Sequence, residues 1–182
     1  IMACDLTTGR AIPCLDAKPG VDHIYMIPRT ELGKDAFTLT DNEVTGLDTS
    51  ITEVFKYALR GDDENILNIN GNDDARSTGT RVFNEEAVIK LKKVDKATTQ
   101  ELGIVAKSTP NIVVKDNDGN YRLLGLSEGC YVSVVETSGG AKNSFNGYTL
   151  TITATEFQSA PFLESTVVTN LESLVGATNI TP

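Results

Sequence analysis

Apolar and polar residues alternate with a two-residue period along much of the chain, the pattern of β-strands with one buried face. The clearest case is a segment in which Tyr148, Leu150 and Ile152 alternate with threonines. The longest predicted strand covers Thr80 to Lys93 and exceeds the ~5–6 residues of a typical strand, so we expect it to bend or to carry a bulge. Further strands are predicted at residues 22–28, 35–40, 54–60, 111–115, 121–124, 129–136 and 147–156, and residues 43–45 are expected to pair back on the second of these.

A single helix is predicted from Asp95 to Lys107. Asp95 can cap its first turn by accepting backbone N–H bonds, Leu102 and other apolar residues recur at helical spacing, and Pro110 prevents continuation. Beyond the helix, the pair Asp118-Gly119 lies between two apolar runs. This predicts a hairpin turn, because glycine adopts a positive φ without steric cost.

Three stretches lack a regular pattern and indicate how the chain is divided. Residues 1–20 are interrupted by Gly and Pro, residues 61–79 are polar and rich in turn formers, and residues 158–182 are apolar but irregular. We therefore predict an N-terminal arm (1–20), a domain (21–157) that contains helix 95–107 and the long loop 61–79, and a C-terminal arm (158–182). The predicted fold class is mainly β, an antiparallel β-sandwich or barrel with one flanking α-helix and extended terminal arms.

The composition narrows the classes of function. The chain has 182 residues and a formal net charge of −9. An acidic chain is poorly suited to wrapping nucleic acid, which requires Lys and Arg against phosphates. It suits a protein past which DNA slides without adhering, although an acidic surface also commonly keeps a protein soluble. The apolar runs are too short to cross a bilayer, so no membrane partner is expected.

No residue pattern predicts a catalytic site, and enzyme activity is not expected. His23 is the sole histidine and lies in an apolar run beside Tyr25, where a packed or surface histidine is the ordinary interpretation. Cys4, Cys14 and Cys130 are odd in number and match no usual zinc spacing. We therefore expect reduced thiols and synthesis in the cytoplasm.

The acidic segments do not predict a metal site either. Residues 116–120 carry carboxylates, but Tyr121 and Ser127 occupy the positions at which a calcium-binding loop of the helix-loop-helix type requires glycine and glutamate. The acidic residues at 62–64 and 73–74 lie in a polar loop, where a solvated surface is far more common than a catalytic carboxylate pair. Neither a metal nor a cofactor is predicted.

Short segments over most of residues 3–157 resemble tail tube or tail ring proteins from the virions of tailed bacteriophages, including crAss-like and marine phages. These segments are Ala3-Cys-Asp-Leu-Thr-Thr-Gly-Arg10, Phe55-Lys-Tyr-Ala-Leu-Arg-Gly61, Thr78-Gly-Thr-Arg-Val-Phe83, Leu91-Lys-Lys-Val-Asp-Lys96, Thr109-Pro-Asn-Ile-Val-Val114, Asp118-Gly-Asn-Tyr121, Gly125-Leu-Ser-Glu-Gly129 and Gly147-Tyr-Thr-Leu-Thr151. The resemblance implies an antiparallel β-sandwich with a flanking helix. It also implies homo-oligomeric rings, commonly hexameric, whose inner strands join into one barrel.

The same resemblance implies how such a protein works and where it is found. Rings stack through a long loop and terminal arms, and an acidic lumen lets DNA pass without specific binding. The implied partners are further copies of the chain and other virion tail proteins. The implied location is the tail of a virion, made in the cytoplasm of a bacterial host.

Two groups of residues take roles under this resemblance. Strands Thr80 to Lys92 and Tyr148 to Glu156 would build the ring barrel, and the loop 61–79 would contact the next ring. The candidate barrel residues are Phe83, Val88, Leu91, Tyr148, Leu150 and Ile152. The candidate inter-ring residues are Asp62, Asp63, Glu64, Asp73, Asp74 and Arg76.

Other classes of protein remain open. A neck ring, a capsid decoration protein or a fibre-attachment protein can be built from the same β-rich material, and tube-like polymerisation separates a tail tube from these. A carbohydrate- or receptor-binding module is disfavoured by an aromatic content of 6 % and the absence of Trp. For a hydrolase, no nucleophile motif is found.

Overall fold

The computed structural model describes residues 8–60, 64–71 and 75–176, and most of the regular structure in these ranges is β-strand. The strands are β1 Val21–Ile27, β2 Phe37–Thr40, β3 Glu43–Leu47, β4 Phe55–Ala58, β5 Ile66–Gly71, β6 Phe83–Lys92, β7 Asn111–Asp116, β8 Tyr121–Leu124, β9 Tyr131–Ser138, β10 Asn146–Glu156 and β11 Phe162–Leu163. The helices are α1 Ala75–Thr78, α2 Lys96–Val105 and α3 Ser165–Ser173, and a 3₁₀ turn covers Gly33–Ala36.

The strands form two sheets that pack face to face. One sheet has seven strands in the order β2-β3-β11-β8-β7-β1-β4, and the other has four in the order β5-β6-β10-β9. All strand pairs are antiparallel except β11 with β3. The predicted fold, a mainly β sandwich with a flanking helix, is confirmed.

The main core lies between the two sheets, and it explains the alternating pattern in the sequence. Tyr148, Leu150 and Ile152 of β10 are almost completely buried, whereas the threonines between them face away from the core. From the other sheet, Ile24 and Ile112 enter the same core. One face of the four-stranded sheet is therefore buried and the other exposed, which is what a period of two requires.

The seven-stranded sheet is buried on both faces, because α3 covers the side opposite the main core. Tyr25 and Val113, which alternate with core residues along their strands, contribute to a second apolar cluster together with Val167 and Leu171 of α3. The molecule is thus layered as four-stranded sheet, seven-stranded sheet and helix.

The prediction of a C-terminal arm is wrong for the part of it that the structure describes, because this part is packed into the layers. Residues 162–163 form β11, which hydrogen-bonds between β3 and β8, and residues 165–173 form α3. Val167 and Leu171 lie one helical turn apart and are fully buried, so this segment packs on its own domain. Residues 177–182 of the predicted arm lie outside the described residues.

The prediction that residues 61–79 form a loop is also wrong for residues 66–71 and 75–78. Ile66–Gly71 forms β5, which pairs with β6 through six residues in unbroken antiparallel register, and residues 75–78 form the short helix α1. Asn and Gly disfavour strands when considered alone. Pairing with the ten-residue strand β6 overrides that preference.

Local chemistry agrees with the prediction for α2 and for the β7–β8 hairpin. The carboxylate of Asp95 accepts hydrogen bonds from the N–H groups of Ala97 and Thr98 at 3.1 and 3.0 Å, which caps the helix. The hydroxyl of Tyr148 bonds Asp95 and Thr99, so the start of α2 is tied to β10. In the hairpin turn, Gly119 adopts a φ of 88°.

The described part of the N-terminal arm agrees with its prediction. Residues 8–20 contain no helix or strand and are exposed throughout. The arm is fixed to the domain at its root, where the N–H of Lys18 donates to the carboxylate of Asp118 and the amide of Asn117 donates to the carbonyl of Pro19, both at 2.7 Å.

Candidate assembly interface

The four-stranded sheet has one exposed face, and we call it the outer face. It consists of the side chains that alternate with core residues on the four strands. These are Ile66, Asn68 and Asn70 of β5, Asn84, Glu86, Val88, Lys90 and Lys92 of β6, Thr149, Thr151, Thr153 and Thr155 of β10, and Tyr131, Ser133, Val135 and Thr137 of β9.

The outer face combines threonines and asparagines with a few exposed apolar side chains. Tyr131 is 62 % exposed, Val135 55 % and Ile66 45 %. Register places Val88 between Ile66 on one side and Thr151 on the other. The apolar residues therefore lie close to the two edges of the sheet, and the threonine row of β10 lies in its interior.

The charges on the outer face nearly balance. Glu86 is opposed by Lys90 and Lys92, and the ammonium of Lys90 lies 3.5 Å from the carboxylate of Glu64. The acidity that was expected of a lumen is therefore not a property of this face among the described residues, despite the net charge of −9.

The two edge strands of this sheet, β5 and β9, have unpaired backbone groups. The N–H of Gly139 donates to the carbonyl of Phe145 at 3.1 Å, which fixes the alternation of hydrogen bonds between β9 and β10. Odd-numbered residues of β9 thus bond to β10, and the N–H and C=O groups of Val132, Val134 and Glu136 point away from the sheet. No described strand pairs with that edge, nor with the free edge of β5.

The two edges carry few of the features that usually prevent strands from pairing with other chains. Such features are proline, inward-pointing charge, a bulge or a very short strand. β5 has six uncharged residues, and neither register contains a shift. β9 has eight residues with one charge, Glu136, which lies on the core-facing side of the sheet opposite Tyr148. Among described strands, β9 and β5 are therefore the edges best suited to accept a further strand.

The structure places the predicted barrel residues on both sides of this sheet. Strands β6 and β10 are direct neighbours, as the prediction of one joint sheet requires. Tyr148, Leu150 and Ile152 point into the core, and Leu91 packs against it. Phe83 has the inward parity of Leu91, so Val88 is the member of this group on the outer face. These residues therefore hold the sheet together, and the threonines between them form its surface.

Most of the predicted inter-ring residues cannot be placed. Asp62, Asp63, Asp73 and Asp74 lie outside the described residues. The remaining two are Glu64, which is exposed and pairs with Lys90, and Arg76, which belongs to α1.

A polar network that the sequence did not indicate joins the seven-stranded sheet to α3. His23 lies between Asp22 and Tyr25, with its ring nitrogens 3.0 Å from the Asp22 carboxylate and 2.9 Å from the Tyr25 hydroxyl. That hydroxyl donates to the carboxylate of Glu172, which also lies 3.4 Å from the ammonium of Lys56. The network joins residues 147 positions apart in the chain, so local sequence carried no signal for it.

The chemistry of this network indicates a structural role, in which it holds α3 on the sheet. Burial, followed by the hydrogen bond to Glu172, raises the pKa of Tyr25, which keeps its hydroxyl protonated as a donor. Burial and the neighbouring Lys56 lower the pKa of His23. The ring of Tyr25 is fully buried, so a substrate has no access to its hydroxyl.

Two buried carboxylates hold the loop between β8 and β9 by hydrogen bonds. The carboxylate of Glu85 accepts from the N–H of Gly125 at 3.0 Å, and that of Glu156 accepts from the N–H of Ser127 at 2.9 Å. Burial raises the pKa of Glu85 to about 7, and one of its oxygens has no hydrogen-bond partner in the described structure. The two carboxylates satisfy loop amides and do not converge on a common point with a third ligand.

Within the described residues, no group of three or more His, Cys, Asp or Glu side chains is arranged to hold a metal ion, and no helix has the length and apolar character needed to span a bilayer. Comparisons of the chain with protein-family models, with curated proteins and with solved structures find no match.

Proposed function

We propose that this protein is a structural subunit that assembles into homo-oligomeric rings, and that the rings belong to the tail of a bacteriophage virion. The observation that carries the proposal is the four-stranded sheet, which has one exposed face and two edges, β5 and β9, without a partner strand among the described residues. Protein edges of this kind normally pair with something, and the simplest partner is the same sheet in another copy.

The direction of the strands supports a cyclic arrangement. Strands β5, β6, β10 and β9 alternate in direction across the sheet. Rotation about a ring axis preserves strand direction, so β9 of one copy meets β5 of the next as an antiparallel pair. The joined sheet is then antiparallel throughout, and a closed ring leaves no free edge.

The dimensions of such a ring suit passage of DNA. Six copies would supply about 24 strands, and with a spacing of about 4.8 Å between strands the barrel is about 37 Å across before tilt widens it. A channel of that width, less its lining side chains, admits a DNA double helix. If the outer face lines it, threonines, asparagines and balanced charges meet the phosphates. That lining lacks the excess of Lys and Arg that tight DNA binding requires.

Stacking of rings is assigned to the segments beside this sheet. Residues 61–63 and 72–79 flank β5, and the arm 8–20 projects from the domain. Because β5 is part of the sheet, removal of the whole range 61–79 would also remove an edge strand, so only its flanks are candidates for inter-ring contacts. Other virion tail proteins would be partners at the ends of the stack.

A second candidate function is a neck ring or a capsid decoration protein. The same edges support it, since ring formation does not require stacking. The two functions differ in whether rings polymerise into tubes.

The proposal is tested by a proline in the free edge of β9. Glu136→Pro removes an N–H that points away from β10 and leaves the bonds to β10 intact, whereas Glu136→Ala removes the same side chain and retains the N–H. We expect Glu136→Pro to remain folded and to lose rings, and Glu136→Ala to assemble normally. Circular dichroism and sedimentation velocity measure both properties.

Equal assembly of the two variants would show that the β9 edge takes no part in the ring. Loss of assembly in both would assign the effect to the side chain of Glu136 and would likewise refute edge pairing.

A further inference from the structure

We propose that the N-terminal arm of one copy docks into a groove on a second copy, with Arg10, Ile12 and Leu15 as its anchors. The inference deepens the proposed function, since it rests on a homo-oligomer. It is drawn from the N-terminal arm and from a groove whose lining includes no residue of β5 or β9.

The arm carries apolar side chains that its own domain does not cover. Ile12 is 97 % exposed and Leu15 105 %, the highest values among the large apolar residues of the described chain. Arg10 precedes them and is also exposed. Isolated exposed apolar residues are ordinary, but a leucine and an isoleucine on an arm without regular structure, next to a cation, form a compact recognition segment.

The groove has the complementary chemistry. It has a volume of about 790 Å³ and lies where the β2–β3 turn, the β7–β8 hairpin and the start of α3 meet. Tyr121, Phe162, Leu163 and Val168 supply an apolar floor, and Phe162 is 42 % exposed. This floor suits the two aliphatic side chains of the arm.

The rim of the groove is acidic. Asp41 and Glu43 are exposed, and neither forms a salt bridge with a described cation. Together they offer two carboxylates to the guanidinium of Arg10, which favours the arm over an acidic or uncharged occupant.

The geometry of the arm points to a second copy and not to the groove of the same chain. The root is bonded to Asp118, and Gly119 and Asn120 next to it already line the groove. Pro13 and Pro19 favour extended backbone, which spans about 3.3 Å per residue. From Pro19, an extended arm therefore carries Ile12 up to about 23 Å beyond the root. Ile12 and Leu15 are almost completely exposed, so they do not occupy the groove of their own chain.

Disulfide trapping in the full chain tests the inference, because Cys14 lies between the two apolar anchors. Cys4→Ser removes the other N-terminal thiol, and Cys130 is completely buried. In that background Ser165→Cys places a thiol in the groove, and Ser144→Cys places a matched thiol in the β9–β10 loop. We expect mild oxidation with diamide to link separate chains at least tenfold more efficiently in Ser165→Cys than in Ser144→Cys.

Charge reversal supplies an independent measurement. Arg10→Glu should reduce the cross-linking to Ser165→Cys several-fold, and adding Glu43→Arg to the same protein should restore it. Equal cross-linking at the two introduced thiols, a disulfide formed within one chain, or failure of Glu43→Arg to rescue would each overturn the inference.

Electron microscopy of the same samples separates this inference from the proposed function. Rings without chain-to-chain cross-links refute the docking of the arm and leave the ring standing. Cross-linked dimers without rings refute the ring and support docking.

Discussion

The substitution Glu85→Gln should remove a pH dependence of stability that arises because Glu85 is buried in the core. The side chain of Glu85 is 2 % exposed, and one carboxylate oxygen accepts from Gly125 while the other has no partner among the described residues. Burial is the main cause that raises its pKa from 4.5 to about 7, and the neighbouring Glu156 acts in the same direction. Arg122 and the Gly125 N–H act against the shift.

The sign of the effect follows from proton binding in the two states. Between pH 4.5 and about 7 the folded protein keeps the Glu85 proton while the unfolded chain has released it. Stability therefore falls as pH rises through this window, by about 3 kcal/mol in total, and becomes constant above it. Glutamine does not titrate, so its contribution to stability is constant.

Urea unfolding of the wild type and Glu85→Gln from pH 4.5 to 8.5 measures this contribution as a difference. The difference is necessary because His23, with its lowered pKa, makes stability rise with pH up to about 6.5 and partly masks Glu85 in the wild type alone. We expect the free energy of unfolding of Glu85→Gln, relative to that of the wild type, to rise by about 2–3 kcal/mol between pH 4.5 and about 7.

The neighbouring residue provides the control. Glu86 is exposed on the outer face, so Glu86→Gln makes the same chemical change at a surface position and serves as the matched variant. A stability difference between Glu85→Gln and the wild type that does not change with pH would refute the claim that Glu85 is buried as a neutral acid.

Two further predictions test other parts of the fold by chemical denaturation. Leu171→Ala should lower the free energy of unfolding by about 2–5 kcal/mol, since Leu171 is fully buried on the face of α3 that packs on the sheet. Thr169→Ala on the exposed side of α3 should change it by less than about 0.5 kcal/mol, and equal effects would show that α3 is not docked. Gly129→Ala should destabilise by about 1–3 kcal/mol, because a Cβ there lies 2.2 Å from the carbonyl oxygen of Thr109 at a φ of 81°. Gly103→Ala, at an open helical position, should stabilise by about 0.5–1 kcal/mol, and a stabilising Gly129→Ala would contradict the loop geometry.

The sequence predicts those elements whose pattern of residues follows directly from local burial and local hydrogen bonds. In β10 the buried and exposed faces alternate, so Tyr148, Leu150 and Ile152 were identifiable as one face. The cap of α2 and the turn of the β7–β8 hairpin are also local, because Asp95 and Gly119 each act within a few residues of their own position.

The elements that were missed depend on distant parts of the chain. The helix α3 has Val167 and Leu171 one turn apart, but the Val, Thr and Asn between them are weak helix formers, and the helix is stabilised by the sheet beneath it. Strand β5 is similarly short and rich in asparagine, and it exists because β6 pairs with it.

The candidate interface could be predicted only in part. That β6 and β10 belong to one sheet was implied only by the resemblance to tail proteins. Which strands form the edges of that sheet depends on long-range pairing, which no local pattern shows. The same applies to the balance of charge on the outer face, since the net charge of the chain says nothing about where the charges lie.

Negative-stain electron microscopy of the purified full-length chain over a range of concentrations tests the central claim most directly. The account predicts rings with a central channel, in which the number of copies can be counted, and stacks of rings if the protein is a tail tube. Particles that remain single copies of the domain at every concentration, with β5 and β9 unpaired, would contradict it.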